Sequence, residues 1–362
     1  MIRVLDDTLL DDPGRLAEVD AEGLLRAAAM AGAQVRATAE AAGEFGLDRL
    51  RGTRPRAVLL LTRPGVSQSA VRVLLAILQP VCPAPVVVTD IVPSWIGPLD
   101  VVIAHTDDPG DHVLAESIDR AVRYGATVML TAPSEGPVAA AGGGRAILLP
   151  PRLPVPPGFR FPRAFTAGLI VANAAGLLSV DLNNLADELD REAEKDHLQH
   201  ESFVNPAKAL ALRLAEHTPL LWGLDDVATA VTRHAASVLA SQAAVVADAS
   251  GYQQATTKIA LHRAAVQSTT SGEDIFADPD LDGPQGGGLR VVLVEVRSDE
   301  RSLAARRAAT EALPGTEVLS VAEEVTGDDA TRAAVIALRF ELAALYLGLA
   351  AGTIGDRAAA HN

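Results

Sequence analysis

The feature that most restricts the fold of this chain is a regular alternation of short apolar runs with longer amphipathic segments. In the first half, the apolar runs are residues 57–61, 84–90, 100–105, 126–131 and 145–150. They are apolar on both faces, which is typical of strands in a parallel sheet that is covered on both sides. The segments between them, such as residues 69–79 and 111–125, have the period of a helix. The alternation therefore predicts βαβ units.

The alternation restarts in the second half of the chain. A proline-rich segment, residues 149–162, predicts a linker, and helical patterns follow at 163–178 and 180–194. Further strands are predicted within "PLLWGL", "QAAVVAD", "LRVVLVEV" and "TEVLSV". We therefore predict the α/β class, with two tandem, doubly wound parallel sheets of the flavodoxin-like type. The predicted boundaries are 1–160 for a first domain with an N-terminal helical segment, 161–200 for a helical connector and 201–362 for a second domain.

Charge and composition exclude several kinds of partner. The chain has 46 acidic against 31 basic residues, which gives a net charge of −15. Nucleic acids and anionic membranes both require a basic surface, so we expect neither as a partner. Cys82 is the only cysteine, which excludes a disulfide framework and a cysteine-based zinc site. The N-terminal segment is acidic and lacks the apolar core of a signal peptide, so we expect a cytoplasmic protein.

The segment 330–351, near the end of the chain, is long and strongly apolar. It contains Arg339 and Glu341 near its middle. Both charges would be costly in the centre of a membrane span. We therefore predict a closing helix that is buried or lies at an interface.

Several segments, in this order along the chain, resemble the bifunctional phosphoglucose/phosphomannose isomerase family. "TDIVPSWIGPLDVVIA", "RAVRYGATVMLTAPSEGPVAAAGG" and "LPVPPGFRFPRAFTAGLIVANAAGLL" resemble its first half. Residues 205–223, "NPAKALALRLAEHTPLLWG", resemble the start of its second half, and "FELAALYLGLAAG" resembles its closing helix. The resemblance implies two tandem sugar-isomerase (SIS) domains in a cytoplasmic homodimer that interconverts aldose and ketose phosphates. We expect no cofactor and no metal.

The resemblance also implies that a phosphosugar ligand is held by loops that follow strands of the first domain. In the first loop, "TRPGVSQS", serine hydroxyls and Arg63 can hold an anion, although Pro64 removes one backbone donor. An ordinary polar turn capped by a serine is the alternative. The candidate ligand-binding residues are Thr62, Arg63, Ser67, Ser69, Thr106, Thr131 and Ser134.

The second phosphate loop of the resemblance falls on "HTDDPGD", which carries Asp107, Asp108 and Asp111. A carboxylate about 5 Å from a phosphate costs roughly 3 kcal/mol per charge pair at an effective dielectric constant of 20. We interpret the loop as self-capping, with Asp108 or Asp111 accepting hydrogen bonds from the first N–H groups of the following helix. The alternative is a divalent-metal site that adds His105 and His112 to the three aspartates.

The family's catalytic residues have no counterparts at the matching positions. A Glu-Asn-x-Lys pattern is expected in the second domain, but no glutamate lies between Glu216 and Glu273. His262 falls in a helical pattern, which favours a core or surface histidine, and no lysine follows Lys258. Lys208, in the matched "NPAK", is interpreted as structural.

Three hypotheses on function follow. The first is a divergent family member that binds a phosphosugar with isomerase activity weak or lost. The second is an active isomerase that uses Asp225, Asp226 or Asp248, which requires burial to raise the pKa of the carboxyl toward neutrality. The third is a non-enzymatic interaction protein that uses the dimer surface, suggested by the apolar closing helix.

Overall fold

The computed structural model describes residues 5–45, 47–270 and 288–355. The chain divides into two compact units, Met30–Asp190 and Met1–Ala29 with Arg191–Asn362. We call them the first-sheet unit and the second-sheet unit. The proline-rich residues 149–162, predicted as a linker, lie within the first-sheet unit. The domain boundaries derived from the sequence stay a prediction.

The secondary structure of the described residues alternates between strands and helices along the chain. The strands are β1 Ala57–Leu61, β2 Val86–Thr89, β3 Asp100–His105, β4 Thr127–Thr131, β5 Ile147–Leu149, β6 Thr218–Gly223, β7 Asp248–Gly251, β8 Leu289–Glu295 and β9 Glu317–Ser320. The helices are α1 Pro13–Val19, α2 Leu24–Ala29, α3 Ala31–Glu44, α4 Val66–Leu78, α5 His112–Arg123, α6 Pro137–Ala141, α7 Phe161–Ala174, α8 Leu182–Lys195, α9 Pro206–Leu214, α10 Asp226–Ala243, α11 Tyr252–Thr257, α12 Ile259–Thr270, α13 Glu300–Ala312 and α14 Asp329–Ala350.

In the first-sheet unit, the described strands form a parallel sheet in the order β2-β1-β3-β4-β5. This is the flavodoxin-like order of a doubly wound fold. Every residue of β1 and β3 is buried, as expected for central strands with helices on both faces. The predicted α/β class is therefore confirmed for this unit.

In the second-sheet unit, the described strands form a parallel sheet in the order β7-β6-β8-β9. Trp222 of β6 is fully buried in its core. The strand predicted within residues 242–248 is wrong, because α10 continues to Ala243 and β7 begins only at Asp248. The run of small apolar residues there suits a helix as well as a strand.

The closing helix α14 is the buried centre of the second-sheet unit. All its residues except Asp329 and Arg332 are buried. Among the described residues it is the one helix long and apolar enough to cross a membrane, but its apolar window is wholly buried within the protein. The prediction of a closing helix that is buried or lies at an interface is confirmed in its first form, because nearly the whole helix is buried within this unit.

Lys208 is fully buried in the second-sheet unit. Its Nζ donates hydrogen bonds to the backbone carbonyls of Leu10 (2.5 Å), Leu198 (2.8 Å) and His200 (2.6 Å). Three carbonyl acceptors satisfy the three donors of an ammonium group. The structural interpretation of Lys208 is confirmed, because its hydrogen bonds connect the N-terminal segment with the chain between α8 and α9.

Candidate functional site

The loops that follow the strands of the first sheet meet at its carboxyl edge, where open α/β sheets bind ligands. The loop between β1 and α4 contains Thr62, Arg63 and Gly65. Gly65 has a φ of 86°, a left-handed conformation that glycine adopts without strain. The backbone N–H of Arg63 donates to Ser67 Oγ at 3.2 Å. Ser67 and Ser69 are buried in the first turns of α4, so the Ser67 hydroxyl already serves the turn.

The acidic loop between β3 and α5 is self-capped, as predicted. Asp111 is the N-cap of α5 and accepts a hydrogen bond from the Leu114 N–H at 3.0 Å. Asp108 Oδ1 accepts from the Gly110 N–H at 2.8 Å, and Thr106 Oγ1 accepts from the Asp108 N–H at 3.1 Å. The Thr106 hydroxyl and two of the three carboxylates therefore stabilise the loop itself.

An ion pair joins the two loops. Arg63 donates to both carboxylate oxygens of Asp111, from Nε at 2.5 Å and from Nη2 at 2.9 Å. The two side chains are 19% and 9% exposed, which places the pair at the rim of the sheet rather than in open solvent. Bidentate pairing is the strong geometry for a guanidinium with an oxyanion. The carboxylate of Asp111 thus holds the position at the start of α5 that a bound phosphate would take.

His105, at the end of β3, is buried among polar partners. Its Nδ1 lies 2.7 Å from Thr131 Oγ1, and its Nε2 lies 3.4 Å from Asp107 Oδ2. Burial lowers the pKa of His105, so the imidazole is neutral at physiological pH. The Thr131 hydroxyl also lies 3.3 Å from the Ala104 carbonyl, to which it donates. Thr131 therefore supports His105 and is not open to a ligand.

Two arginines near the start of α7 complete this edge. Arg160 Nη1 donates to Asp107 Oδ1 at 2.5 Å. Arg163 Nη2 donates to the Leu149 carbonyl at 2.6 Å, while its Nη1 lies 4.0 Å from Asp107 Oδ1. Burial raises the pKa of Asp107, but hydrogen bonds from His105 and Arg160 bring the net pKa below its usual 3.8. Asp107 is therefore an ionised partner for two cations.

Sequence reasoning missed Arg160 and Arg163. Both lie in or next to the proline-rich segment that was predicted as a linker. The available signal was their spacing of three residues at the predicted start of a helix, which puts two cations on one face of its first turn. Ser134, by contrast, was predicted as a ligand-binding residue and is exposed in the loop after β4.

The alternative metal site is wrong for the described residues. Across residues 5–45, 47–270 and 288–355, no group of three or more His, Cys, Asp or Glu side chains is placed to hold a metal ion. Asp107 and Asp111 instead bind arginines, and Asp108 closes its own turn. The acidic loop binds protein donors, which is the physical reason why no ligand set forms.

In the second-sheet unit, Asp225 is fully engaged by the backbone. Its Oδ1 accepts from the Ala228 N–H at 2.8 Å, and its Oδ2 accepts from the N–H groups of Val296 (2.9 Å) and Arg297 (3.0 Å). Burial raises the pKa of the Asp225 carboxyl, yet its oxygens are occupied and it connects the loops after β6 and β8. Asp226 is exposed in the first turn of α10.

Asp248 forms a polar group with Trp222 and Lys258. It accepts from Trp222 Nε1 at 3.0 Å and from Lys258 Nζ at 2.5 Å. Burial opposes ionisation of Asp248, but these two donors outweigh it and the pKa is lowered. His262 stacks on Trp222 with ring centroids 5.7 Å apart and planes 10° apart. A carboxylate with a lowered pKa is a poor proton acceptor near neutrality. His262, predicted as a core or surface histidine, is half-buried against Trp222.

Comparison with known proteins supports the fold that these elements form. Residues 203–353 match the family of the bacterial phospho-glucose isomerase C-terminal SIS domain. The "putative phosphosugar isomerase" of Silicibacter pomeroyi is 17% identical, with a TM-score of 0.60 and coverage of 92% of this chain and 98% of that chain. The C-terminal domain of glucosamine-fructose-6-phosphate aminotransferase from Francisella tularensis is 14% identical, with a TM-score of 0.57 and coverage of 94% and 97%. No curated protein matches the sequence.

These likenesses confirm the predicted architecture. The chain is an α/β protein whose two parallel sheets are consistent with tandem SIS domains. The family match covers the part of the chain that contains β6 to β9 and α14. At identities of 17% and 14%, these structural likenesses show the fold alone. Any activity has to be argued from the side chains of this chain.

Proposed function

We propose that this protein binds a phosphosugar at the carboxyl edge of the first sheet and that its aldose–ketose isomerase activity is weak or lost. The SIS fold, and the match of residues 203–353 to a phospho-glucose isomerase domain family, support the ligand class. The first-sheet edge supports the place, because it holds Arg63, Arg160 and Arg163 beside strand-end loops.

The observation that carries the proposal is the Arg63–Asp111 pair. A phosphate dianion offers Arg63 the same two-oxygen geometry as the Asp111 carboxylate, with a larger charge. Binding would therefore exchange one anion for another on Arg63. Asp111 would keep its hydrogen bond from the Leu114 N–H and continue to cap α5.

Weak or absent isomerase activity follows from the state of the carboxylates. Moving a proton between two sugar carbons requires a base with a pKa near neutrality and within hydrogen-bond reach of the carbon acid. Both oxygens of Asp225 accept hydrogen bonds from the backbone, Asp226 is exposed, and Asp248 has a lowered pKa. None of the three meets both conditions.

The partners and location inferred from the sequence belong to the same proposal. We propose a homodimer in the cytoplasm that binds a phosphosugar without a metal or cofactor. The net charge of −15 supports the exclusion of nucleic acid and anionic membranes. Light scattering after size exclusion checks the dimer; a mass near 37.6 kDa would contradict it.

The test is a thermal-shift titration with glucose, mannose and fructose 6-phosphates and with inorganic phosphate. Binding to the folded state raises Tm by mass action. We expect a saturable rise with a sugar phosphate in the wild type, a rise at least threefold smaller in Arg63→Gln, and an unchanged rise in Arg123→Gln. Arg123 is a matched control because it forms an exposed ion pair with Asp119 on α5. Equal responses of the two variants would contradict the site, and enzyme-like interconversion of these sugars would contradict the loss of activity.

A further inference from the structure

The outer strand of the first sheet, β2, has an open edge, because it pairs with β1 on one side only. The carbonyls of Pro85 and Thr89 each accept a backbone hydrogen bond of 2.9 Å from the β1 side. Since the backbone groups of a strand alternate in direction, the backbone groups of Val86 and Val88 face outward. Within the described chain, no hydrogen bond joins the N–H or C=O group of either valine to another group.

The chain around this edge is apolar and nearly free of charge. Large apolar side chains that are between 40% and 68% exposed lie before, in and after β2: Val81, Val88, Ile91, Trp95 and Leu99. In residues 79–99 the one charged residue is Asp90, whereas 21% of the whole chain is charged. Natural sheets protect an open edge with charged side chains, above all lysine, or with proline at the edge. Pro85 faces β1, so the outer edge of β2 has neither protection.

An uncharged surface groove of about 560 Å³ lies beside the open edge, between α4 and β2. It is lined by Leu75 and Gln79 of α4 and by residues of the segment 82–88, and none of these lining residues is charged. Val86 and Val88 both line it, because side chains two residues apart in a strand share a face. The groove therefore offers an apolar surface to the side chains of a further strand that pairs with β2.

We propose that β2 pairs antiparallel with β2 of a second copy of this chain, about a twofold axis at Val87. Val86 of one copy then faces Val88 of the other, and each such pair exchanges two N–H···O bonds. The two pairs use every outward N–H and C=O group of both strands. A twofold contact places a surface against itself, and the near absence of charge at β2 allows this in a chain of net charge −15 without like-charge repulsion. The inference rests on the homodimer of the proposed function and names its surface.

Light scattering of the full chain over a dilution series tests the surface. Val88→Lys adds to the open edge the charge with which natural edge strands prevent pairing, so it should weaken dimerisation at least tenfold. Val246→Lys is the matched control, because Val246 is 79% exposed and lies in the second-sheet unit. The control should dimerise like the wild type. Dimerisation of Val88→Lys that equals that of the wild type would overturn the inference.

Cysteine cross-linking tests the register, in a Cys82→Ser chain that has no other cysteine. The two copies of residue 87 form a non-hydrogen-bonded pair with Cα atoms about 4.5 Å apart, which is within the range of a disulfide. The two copies of residue 88 are diagonal neighbours about 7–8 Å apart, which is beyond that range. Val87→Cys should therefore cross-link at least fivefold faster than the control Val88→Cys. Equal rates, faster cross-linking of the control, or no cross-link in either would overturn the inference.

The failure of this inference can be distinguished from the failure of the proposed function. A monomeric wild type would contradict the homodimer and, with it, the surface. A dimeric wild type together with an equally dimeric Val88→Lys would contradict the surface alone. Val88→Lys should keep the thermal-shift response to sugar phosphates, because Val88 lies outside the two loops proposed to hold the ligand. A wild type that dimerises through β2 but shows no such response would contradict the proposed ligand alone.

Discussion

Asp111 in the first-sheet unit and Asp225 in the second-sheet unit occupy equivalent places: each follows a strand and caps the next helix. They differ in what holds the remaining carboxylate oxygen. Asp111 receives a side chain, that of Arg63, whereas Asp225 receives two backbone N–H groups. A side chain can leave for a competing anion, but a backbone N–H that is fixed in a loop cannot. The comparison therefore supports the proposal of a ligand site at the first-sheet edge, whereas Asp225 cross-links two loops of the second-sheet unit.

The largest effect is expected for Asp225→Ala. The substitution removes a helix cap and leaves the Val296 and Arg297 N–H groups without an acceptor, so we expect a loss of about 3 kcal/mol of unfolding free energy. Urea unfolding measures it. The neighbouring exposed residue gives the control: Asp226→Ala should change stability by about 0.5 kcal/mol. A similar loss of unfolding free energy in the two variants would contradict the proposed cross-link.

A pH dependence should come next in size, from Asp196 in the second-sheet unit. Burial and the nearby Glu192 raise the pKa of Asp196 to about 8, and one of its oxygens is buried without a partner. The native state then keeps a proton that the unfolded chain has lost above about pH 4. The protonated Asp196 therefore contributes its full share of stability at acidic pH, and this stability is lost as the pH rises toward 8. The free energy of unfolding of Asp196→Asn should therefore be roughly 2 kcal/mol larger than that of the wild type at pH 8, and no larger at pH 4. The same difference between the two proteins at both pH values would contradict this.

Asp111→Ala sharpens the comparison because stability and binding should move in opposite directions. Loss of the α5 cap should cost about 1 kcal/mol. Release of Arg63 from its competing carboxylate should strengthen phosphate binding severalfold. Calorimetric titration with inorganic phosphate checks it, with Asp119→Ala as a control from the exposed face of α5. Weaker phosphate binding in Asp111→Ala would show that the aspartate does not compete with the ligand.

The smallest effect is expected for Lys258→Met. Its ion pair with Asp248 is partly exposed, with the lysine side chain 33% exposed, and solvent screening limits the contribution to about 0.5 kcal/mol. The pKa of Asp248 is lowered, so its carboxylate stabilises the fold above the unfolded pKa of 3.8 and this is lost at lower pH. Wild type and variant should differ at pH 7 and converge near pH 3. A constant difference would mean that lost packing, not charge, explains the effect.

Local sequence rules predicted the strands of the first sheet and the capping role of Asp111, because both depend on neighbouring residues alone. They failed at residues 242–248, where small apolar residues suit either a helix or a strand. They also missed Arg160, which lies in a proline-rich segment with the composition of a linker, and Arg163, which follows that segment directly. Both arginines approach Asp107, which is more than 50 residues away in sequence and meets them only in the folded unit.

The most direct test of the comparison is hydrogen–deuterium exchange with and without saturating fructose 6-phosphate. The account predicts slower exchange in peptides that cover residues 62–69 and 105–114. Peptides that cover residues 218–229 and 248–262 should be unchanged, because their polar groups are already engaged by the protein. Protection confined to the second-sheet peptides, or protection in neither set, would contradict the assignment of ligand binding to the first-sheet edge.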